Sequence, residues 1–145
     1  MKEANLTPDD IDMFNCHATS TPKGDASEAA CIKELIGKNR ALITANKGNV
    51  GHMVAGAAIT ESLFAMQTFK TGIVPAIKNL SADWSCKLGT STAASQVEPV
   101  YNGLNYAAEN INKPDINVIV KNSLCFGGIN MSAVFKRYNQ EEAKI

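Results

Sequence analysis

Along the chain, short apolar runs alternate with longer segments in which hydrophobic residues recur at helical spacing. Apolar runs at residues 11–16 and 41–45 predict two buried strands, and the β-branched run at 116–120 predicts a third. Residues 121–130 form a glycine-containing turn region, and residues 131–135 have the pattern of a returning strand. The chain is therefore expected to end in a β-hairpin.

Two amphipathic helices are predicted between these strands. The first starts at an N-cap formed by Asp25, has Glu28 in capping-box spacing, and stops at Gly37. The second runs from Met53 to about Lys70. The expected buried face of the first comprises Ala29, Ile32, Leu35 and Ile36, and that of the second comprises Val54, Ala57, Ala58, Leu63, Met66 and Phe69.

The remaining pattern completes an α/β order of elements. Residues 72–77 predict a short extended piece, and residues 78–117 predict mostly loop with one or two short strands. In a layered α/β fold, chemistry collects where strands end and helices begin. Three polar turns occupy such positions, at residues 17–24, 46–52 and 123–130.

Composition narrows the class of protein. The 145 residues are enough for one domain with a sizeable core, and 14 basic against 14 acidic side chains disfavour a broad nucleic-acid-binding face. The most hydrophobic helix is interrupted by polar residues, so no membrane span is expected, and the N-terminus lacks a signal-peptide pattern. The four cysteines have no CxxC spacing, which favours free thiols in a reducing compartment, cytoplasmic or mitochondrial. With only two histidines, no metal site is expected.

The turn at residues 46–52 carries the clearest candidate chemistry. It places Lys47 and His52 on a glycine-bearing connection between a strand and a helix. An imidazole at a helix N-terminus is expected to be neutral and to donate a hydrogen bond, which suits stabilisation of an oxyanion. The alternative is an ordinary exposed turn that contains one lysine and one histidine.

Taken together, the three turns resemble the C-terminal half of a β-ketoacyl-acyl-carrier-protein synthase, a condensing enzyme with a thiolase-like fold. Residues 15–25 (NCHATSTPKGD) resemble the family pattern NAHGTSTPxGD, and residues 46–52 (NKGNVGH) resemble TKSx(T/I)GH. Residues 122–130 (NSLCFGGIN) resemble NSFGFGGTN. The resemblance implies the C-terminal half of a layered αβα fold, with a mixed sheet and a terminal hairpin. Residues 1–138 would form this domain and residues 139–145 a frayed tail.

The resemblance also implies roles for individual residues. His17 and His52 would be the paired histidines that assist loss of CO₂ from a malonyl thioester and hold the enolate, converging on one dry cavity. Lys47 would pair with Glu61 and orient the turn that bears His52. The alternative for Lys47 and Glu61 is a pair of solvated charges, although Glu61 interrupts an apolar helical stretch.

Other positions match the substrate-binding parts of the family. Thr19 and Thr21 would hydrogen-bond the phosphopantetheine arm, or else bond their own loop backbone. Phe126 would be the gate residue, with its backbone N–H in the oxyanion hole and with Gly127 and Gly128 freeing the loop. The alternative for Phe126 is a core aromatic.

The chain departs from the family patterns at several positions. Ala18 replaces Gly, Gly48 replaces Ser, Cys125 replaces the Gly before the gate residue, and Ile129 replaces Thr. The Cys125 exchange is expected to stiffen the gate loop and crowd the acyl entrance. These departures bear on gate motion and acyl-chain preference more than on the histidine pair.

Lys121 is a further departure, because a bare ammonium inside a strand is costly. In the resembling family the neighbourhood of Asn15, Glu61 and Asn122 can hold a structural cation. We expect the Lys121 ammonium to take that place.

The nucleophilic cysteine of the family lies in an N-terminal half that this chain does not contain. For Cys16, Cys31, Cys86 and Cys125 the favoured interpretation is a small buried hydrophobic side chain. The resemblance therefore implies decarboxylative Claisen condensation in fatty-acid elongation, performed with an N-terminal half on the same or a separate chain, in a ketosynthase-type dimer or larger assembly. The acyl carrier protein would deliver the phosphopantetheine arm, and no other cofactor is required. A polyketide ketosynthase is a close variant, and the rival is a non-catalytic structural subunit.

Overall fold

The computed structural model describes residues 1–37, 41–80 and 103–139. The strands are β1 (Met13–Asn15), β2 (Leu42–Thr44), β3 (Ile73–Val74), β4 (Asn105–Tyr106), β5 (Ile111–Asn112), β6 (Val118–Leu124) and β7 (Asn130–Lys136). The helices are α1 (Pro22–Ile36), α2 (Lys47–Val50) and α3 (Ala57–Thr71), with single 3₁₀ turns at Lys2–Ala4, Pro8–Asp10, Val54–Gly56 and Phe126–Gly128. Of the predicted tail at 139–145, residues 140–145 lie outside the described residues, as does most of the predicted loop region from 78 to 117.

Five strands form a mixed sheet in the order β4-β2-β1-β6-β7. Strand β1 is parallel to both β2 and β6, and β2 is parallel to β4. Strand β7 runs antiparallel to β6 along its whole length, which confirms the predicted terminal hairpin. Strands β3 and β5 form a separate antiparallel pair. The predicted α/β class with a mixed sheet is therefore confirmed.

The sheet has a helix on each face because alternate residues of a strand point to opposite sides. Phe14 of β1 packs in a core that includes Ala29, Ile32 and Ile36 of α1. Its neighbour Met13 lies in a second core with Ala65 of α3. The described residues thus form a helix–sheet–helix arrangement, in which α1 and α3 cover opposite faces of β1.

Helix α1 begins earlier than the sequence pattern predicts. Its N-cap is Thr21 and its first residue is Pro22, whose fixed φ suits the first helical position. The predicted cap at Asp25 is therefore wrong, since Asp25 lies within the helix. The predicted C-terminal stop at Gly37 is confirmed. Of the predicted buried face, Leu35 is 38% exposed while the other members are buried.

The predicted single helix from Met53 is also wrong. The chain forms α2, then a 3₁₀ turn at Val54–Gly56, and only then α3. Helix α3 buries a narrow strip formed by Ala57, Glu61, Ala65 and Thr68. Of the predicted buried face, Val54, Ala58, Leu63 and Met66 are exposed and Phe69 is half-buried. Small side chains on the buried strip let the helix lie close to the sheet, so the larger apolar residues stay outside.

Strand β6 continues through Lys121 to Leu124, farther than the predicted end at residue 120. The turn between β6 and β7 is accordingly shorter than the predicted 121–130 and comprises residues 125–129. Pairing with β7 explains the extension, because Lys121 to Leu124 each have a partner residue on that strand. None of the helices that the structure describes is long and apolar enough to cross a membrane.

Candidate active site

The candidate residues lie where three parallel strands end. His17 follows β1, Lys47 and His52 follow β2, and the loop at Phe126 follows β6. Because β1 is parallel to β2 and to β6, the carboxyl ends of all three strands lie at the same edge of the sheet. The sheet topology therefore brings the three polar turns of the sequence together.

The two histidine rings are neighbours. Their centroids are 5.5 Å apart and their planes are nearly perpendicular, at 86°. His52 Nδ1 accepts a hydrogen bond of 3.1 Å from the backbone N–H of Val54. In its neutral form the His52 ring therefore carries its proton on Nε2, which is then a donor.

The surroundings of the rings differ from the expectation of one dry cavity. His17 is half-buried, but His52 is exposed among the described residues. The expected position of His52 at the N-terminus of the long helix is also wrong, because α3 begins only at Ala57. The dipole of α3 therefore acts on His52 much less than the sequence pattern suggested.

The environment of His17 favours its neutral form. Burial lowers the pKa of the His17 imidazole below its ordinary value, and the positive charge of Lys47 acts in the same direction. The carboxylate of Glu28 opposes this shift, whereas Lys121 and His52 add to it. A neutral imidazole can donate a hydrogen bond to an oxygen as negative charge develops there.

A buried cluster of charges supports the turn that bears His52. Lys47 Nζ lies 2.6 Å from Glu61 Oε1, and the two side chains are 6% and 1% exposed. The ion pair predicted between these residues is confirmed, and the alternative of two solvated charges is wrong. Glu61 has a second partner, since Lys121 Nζ lies 2.7 Å from its other oxygen.

Lys121 occupies the neighbourhood in which the resemblance implied a structural cation. Its ammonium contacts Glu61 and donates to the carbonyl oxygen of Asn122. Asn15 is close by and its amide donates to Asn46 Oδ1 at 2.5 Å. Both oxygens of Glu61 are taken by ammonium groups, so the carboxylate that a hard cation would need is already neutralised. The described residues do not fit a metal ion at this place.

Glu28 is a residue of the site that the sequence pattern did not identify. Its two carboxylate oxygens each accept a backbone N–H at 2.9 Å, from His17 and from Ala18, and Asn122 Nδ2 donates to it at 3.1 Å. Ala18 has a positive φ of 35°, so this carboxylate holds a strained loop next to His17. The available signal was a glutamate on the apolar face of α1, where Ala29 and Ile32 are also buried.

The two threonines expected to bind pantetheine lie in the loop before α1. Their Oγ1 atoms are 3.2 Å apart, so each hydroxyl has the other as a hydrogen-bonding partner. Thr19 is half-buried and Thr21 is exposed. Both threonines lie in the loop that carries His17, and their part in binding stays a prediction.

Among the described residues the Phe126 side chain is fully exposed, at 101%, so the alternative that it is a core aromatic is wrong. Gly127 and Gly128 have φ of 79° and 80°, a left-handed conformation that favours glycine. Cys125 is extended, with φ of −121°, and its N–H donates to the carbonyl of Ile129 at 2.9 Å. The loop therefore tolerates cysteine in place of the family's glycine without backbone strain.

The glycine at position 48, where the resembling family has serine, has a packing reason. A Cβ atom added to Gly48 would lie 2.8 Å from Cβ of Lys78 and 3.3 Å from its carbonyl oxygen. Real Cβ atoms do not approach so closely, so Lys78 occupies the space that a side chain at position 48 would need.

The cysteines differ among themselves. Cys16 is buried, as expected, and burial raises the pKa of its thiol well above the ordinary value, with Glu28 adding to the shift. Cys31 and Cys125 are exposed, so the expectation that they are buried is wrong. Cys86 lies outside the described residues.

Comparisons with known proteins agree on one family. The family model for the beta-ketoacyl synthase C-terminal domain matches residues 1–81. A 3-oxoacyl-[acyl-carrier-protein] synthase 1 from Haemophilus influenzae is 29% identical over 140 residues, which is 96% of this chain and 31% of that protein. The chain thus spans about a third of the length of the curated relatives it matches.

Solved structures have the same fold. A beta-ketoacyl synthase from Burkholderia phymatum STM815 superposes with a TM-score of 0.78 at 26% identity, over 95% of this chain and 30% of that one. A type II polyketide ketosynthase in complex with its acyl-carrier protein superposes with a TM-score of 0.77 at 23% identity, over 95% and 31% of the two chains. These matches confirm the thiolase-like ketosynthase fold, and the chain belongs to the β-ketoacyl synthase family, in which it corresponds to the C-terminal domain.

Proposed function

We propose that this chain supplies the decarboxylation half-site of a 3-oxoacyl-[acyl-carrier-protein] synthase. The observation that carries the proposal is the pair of histidine rings 5.5 Å apart, beside the buried pair of Lys47 and Glu61. The names of the relatives support the reaction class, since they are 3-oxoacyl-[acyl-carrier-protein] synthases.

The proposed step is loss of CO₂ from a malonyl thioester. The electrons of the broken C–C bond pass into the thioester carbonyl, whose oxygen becomes negative as the enolate forms. N–H groups of His17 and His52 donate to that oxygen, and preorganised donors of this kind lower such barriers by roughly 3–4 kcal/mol each. The enolate carbon then attacks an acyl thioester on a cysteine and expels the thiolate.

The positions of the other candidates suit supporting roles in this reaction. Lys47 and Glu61 are positioning residues that fix the turn of His52. Thr19 and Thr21 hydrogen-bond the pantetheine arm, and Phe126 with Gly127 and Gly128 forms the gate and oxyanion loop. No metal and no organic cofactor has a role here, since the arm arrives on the carrier protein.

The proposal also requires an acyl-carrying cysteine, which in the resembling family lies in the N-terminal half. Cys16 is buried with a raised pKa, so it is a poor nucleophile. We therefore assign the acyl-carrying cysteine to a ketosynthase N-terminal half, on the same or a separate chain, which would also cover the exposed side of His52. An acyl carrier protein is the expected partner, by analogy with the solved polyketide complex. Assembly as a ketosynthase-type dimer and a cytoplasmic or mitochondrial location belong to the same proposal.

The test is malonyl-carrier-protein decarboxylation by the native particle that contains this chain. His52→Ala is expected to lower kcat by about 10²–10³-fold, because one oxyanion donor is lost. The matched control is Lys113→Ser, which removes a half-exposed lysine that pairs with the exposed Asp115 at 3.1 Å and should leave kcat unchanged. Equal rates for His52→Ala and its parent would refute the catalytic role.

A non-catalytic subunit that keeps the fold is the second candidate. The observation that favours it is the exposed apolar surface near the site, at Val54, Phe126, Ile129 and Met131. For this candidate, a partner's side chains would fill the space over both histidines, and the parent particle would show no decarboxylation. A partner cysteine within hydrogen-bond reach of His17 or His52 would decide for the enzyme.

A further inference from the structure

One buried carboxylate holds two ammonium groups that come from two other elements. Glu61 projects from α3 and contacts Lys47 after β2 through one oxygen and Lys121 of β6 through the other, at 2.6 and 2.7 Å. Beyond these contacts, the described residues give neither oxygen a hydrogen bond. Glu61 is 1% exposed, so bulk water does not replace a lost partner. Each ammonium therefore satisfies one oxygen of a carboxylate that would be costly to leave bare.

Lys121 is the unusual member of this cluster because it lies inside a paired strand. It is 2% exposed, pairs with Asn15 on β1 and Ala133 on β7, and donates to the carbonyl of Asn122. Burial lowers the pKa of its ammonium, while the hydrogen bond and charge of Glu61 act against that shift. Glu28 also faces this region, since it accepts from the Asn122 amide. Two cations and two anions thus balance within the cluster.

We infer that Lys121 is a positioning residue. Its ammonium takes the place of a bound cation and, through the carboxylate of Glu61, links β6 to α3 and to the turn that contains Lys47. Strand β6 leads into the Phe126 loop, and the Lys47 turn carries His52. Lys121 therefore sets the distance between the gate loop and the histidine pair. Its effect on the reaction rests on the proposed function, whereas its effect on stability does not.

The test is chemical rescue in the native particle. Lys121→Ser leaves a Glu61 oxygen facing a space beside the Asn122 carbonyl, which an ammonium ion can enter as a hydrogen-bond donor. The melting temperature and the decarboxylation kcat are measured in ammonium chloride and in tetramethylammonium chloride at equal ionic strength. The variant is expected to melt below the parent and to lose about 100-fold in kcat, as for a small displacement of reacting groups. Both losses should recover in part with ammonium and not with tetramethylammonium, which has no N–H donor.

Two further variants separate charge from packing. Lys121→Met keeps the apolar stem without the ammonium, so it is expected to melt below the parent and to show no rescue. Lys113→Ser removes a half-exposed, paired lysine and should show neither the loss nor the rescue. If Lys121→Ser fails to fold, the melting temperature of Lys121→Met decides.

A parent-like melting temperature for Lys121→Met would overturn the inference. Equal effects of the two salts on Lys121→Ser would overturn it as well. A parent particle that lacks decarboxylation would refute the proposed function instead, and it would leave the melting experiment as valid as before.

Discussion

At the scale of single residues, burial decides what each charged or polar group does. From the sequence alone, Lys47 and Glu61 could be two solvated charges. In the structure both side chains are almost completely buried and they form an ion pair. Glu28 shows how a sequence pattern can suggest the wrong partner. Its spacing from Asp25 suggested a local helix cap, whereas its carboxylate accepts hydrogen bonds from the backbone N–H groups of His17 and Ala18. Local spacing could not identify these partners, since they lie across the loop that follows β1.

Glu61→Gln is expected to destabilise the protein by roughly 3–5 kcal/mol, because it leaves two buried ammonium groups without their carboxylate. Urea unfolding followed by circular dichroism measures this loss. Glu34→Gln on the exposed side of α1 is the matched control and should change little. A Glu61→Gln midpoint equal to that of the control would mean that the cluster contributes no stability.

His17 is expected to titrate below the ordinary histidine pKa of about 6.5. Since the folded state resists protonation of this ring, the unfolded state binds more protons between the two pKa values. The free energy of unfolding should therefore fall as pH drops below the ordinary value, until the lower folded pKa is reached. NMR of the imidazole Cε1–H in His52→Gln, which leaves His17 as the chain's single histidine, measures the pKa.

Adding Lys47→Met to that variant should bring the His17 pKa back towards its ordinary value, because one of the causes of the shift is removed. A His17 pKa at or above the ordinary value in His52→Gln would contradict the assigned environment.

At the scale of elements, the helices fit the sheet in a way that hydrophobic periodicity did not predict. Helix α3 buries Ala57, Glu61, Ala65 and Thr68, and it exposes the larger Ile59, Leu63 and Phe64. Periodicity ranks positions by hydrophobicity, whereas close packing on the sheet selects small side chains and one paired charge.

On α3, substitution of a small buried residue should therefore destabilise the protein more than truncation of a large apolar one. An amphipathic pattern would suggest the reverse. Ala65→Leu is expected to destabilise by about 1–3 kcal/mol, because Ala65 is fully buried and a larger side chain overpacks the core. Leu63→Ala, at 57% exposed, should cost much less in the same chain. Thermal or urea unfolding of the two variants gives the comparison, and a larger loss for Leu63→Ala would contradict the assigned faces.

At the scale of the whole molecule, β1 and β6 are the strands that support the candidate site. Both are inner strands of the sheet, and their carboxyl ends lead into the His17 loop and the Phe126 loop. Edge elements and single 3₁₀ turns have fewer neighbours and open more readily. The site thus combines a rigid base with a connection, from Val50 to Gly56, that is largely exposed.

Hydrogen exchange should reflect this division. Backbone amides of β1 and β6 are expected to exchange slowest, because each of these strands is hydrogen-bonded to a neighbouring strand on both sides. Amides of residues 52–56 are expected to exchange fastest near the site. Mass spectrometry of peptides covering these segments measures the order. Slower exchange in β4 or β7 than in β6 would contradict the claim that β1 and β6 are the rigid strands under the site.

Much of this architecture was predictable from the sequence, but its contacts across the sheet were not. The buried runs predicted β1, β2 and β6, and the motif resemblance predicted the Lys47–Glu61 pair and the meeting of the three turns. The exposure of His52 and the role of Glu28 depend on groups brought together from distant segments. These outcomes follow from packing in three dimensions, which a one-dimensional pattern does not contain.

The contact between Gly48 and Lys78 has a consequence for how this sequence can change. A serine at position 48 would restore the residue usual in the resembling family, yet its Cβ would overlap that of Lys78. The two positions are therefore sterically linked, and a serine at position 48 requires the backbone near residue 78 to move. A substitution that restores the family motif would, in this chain, be a defect.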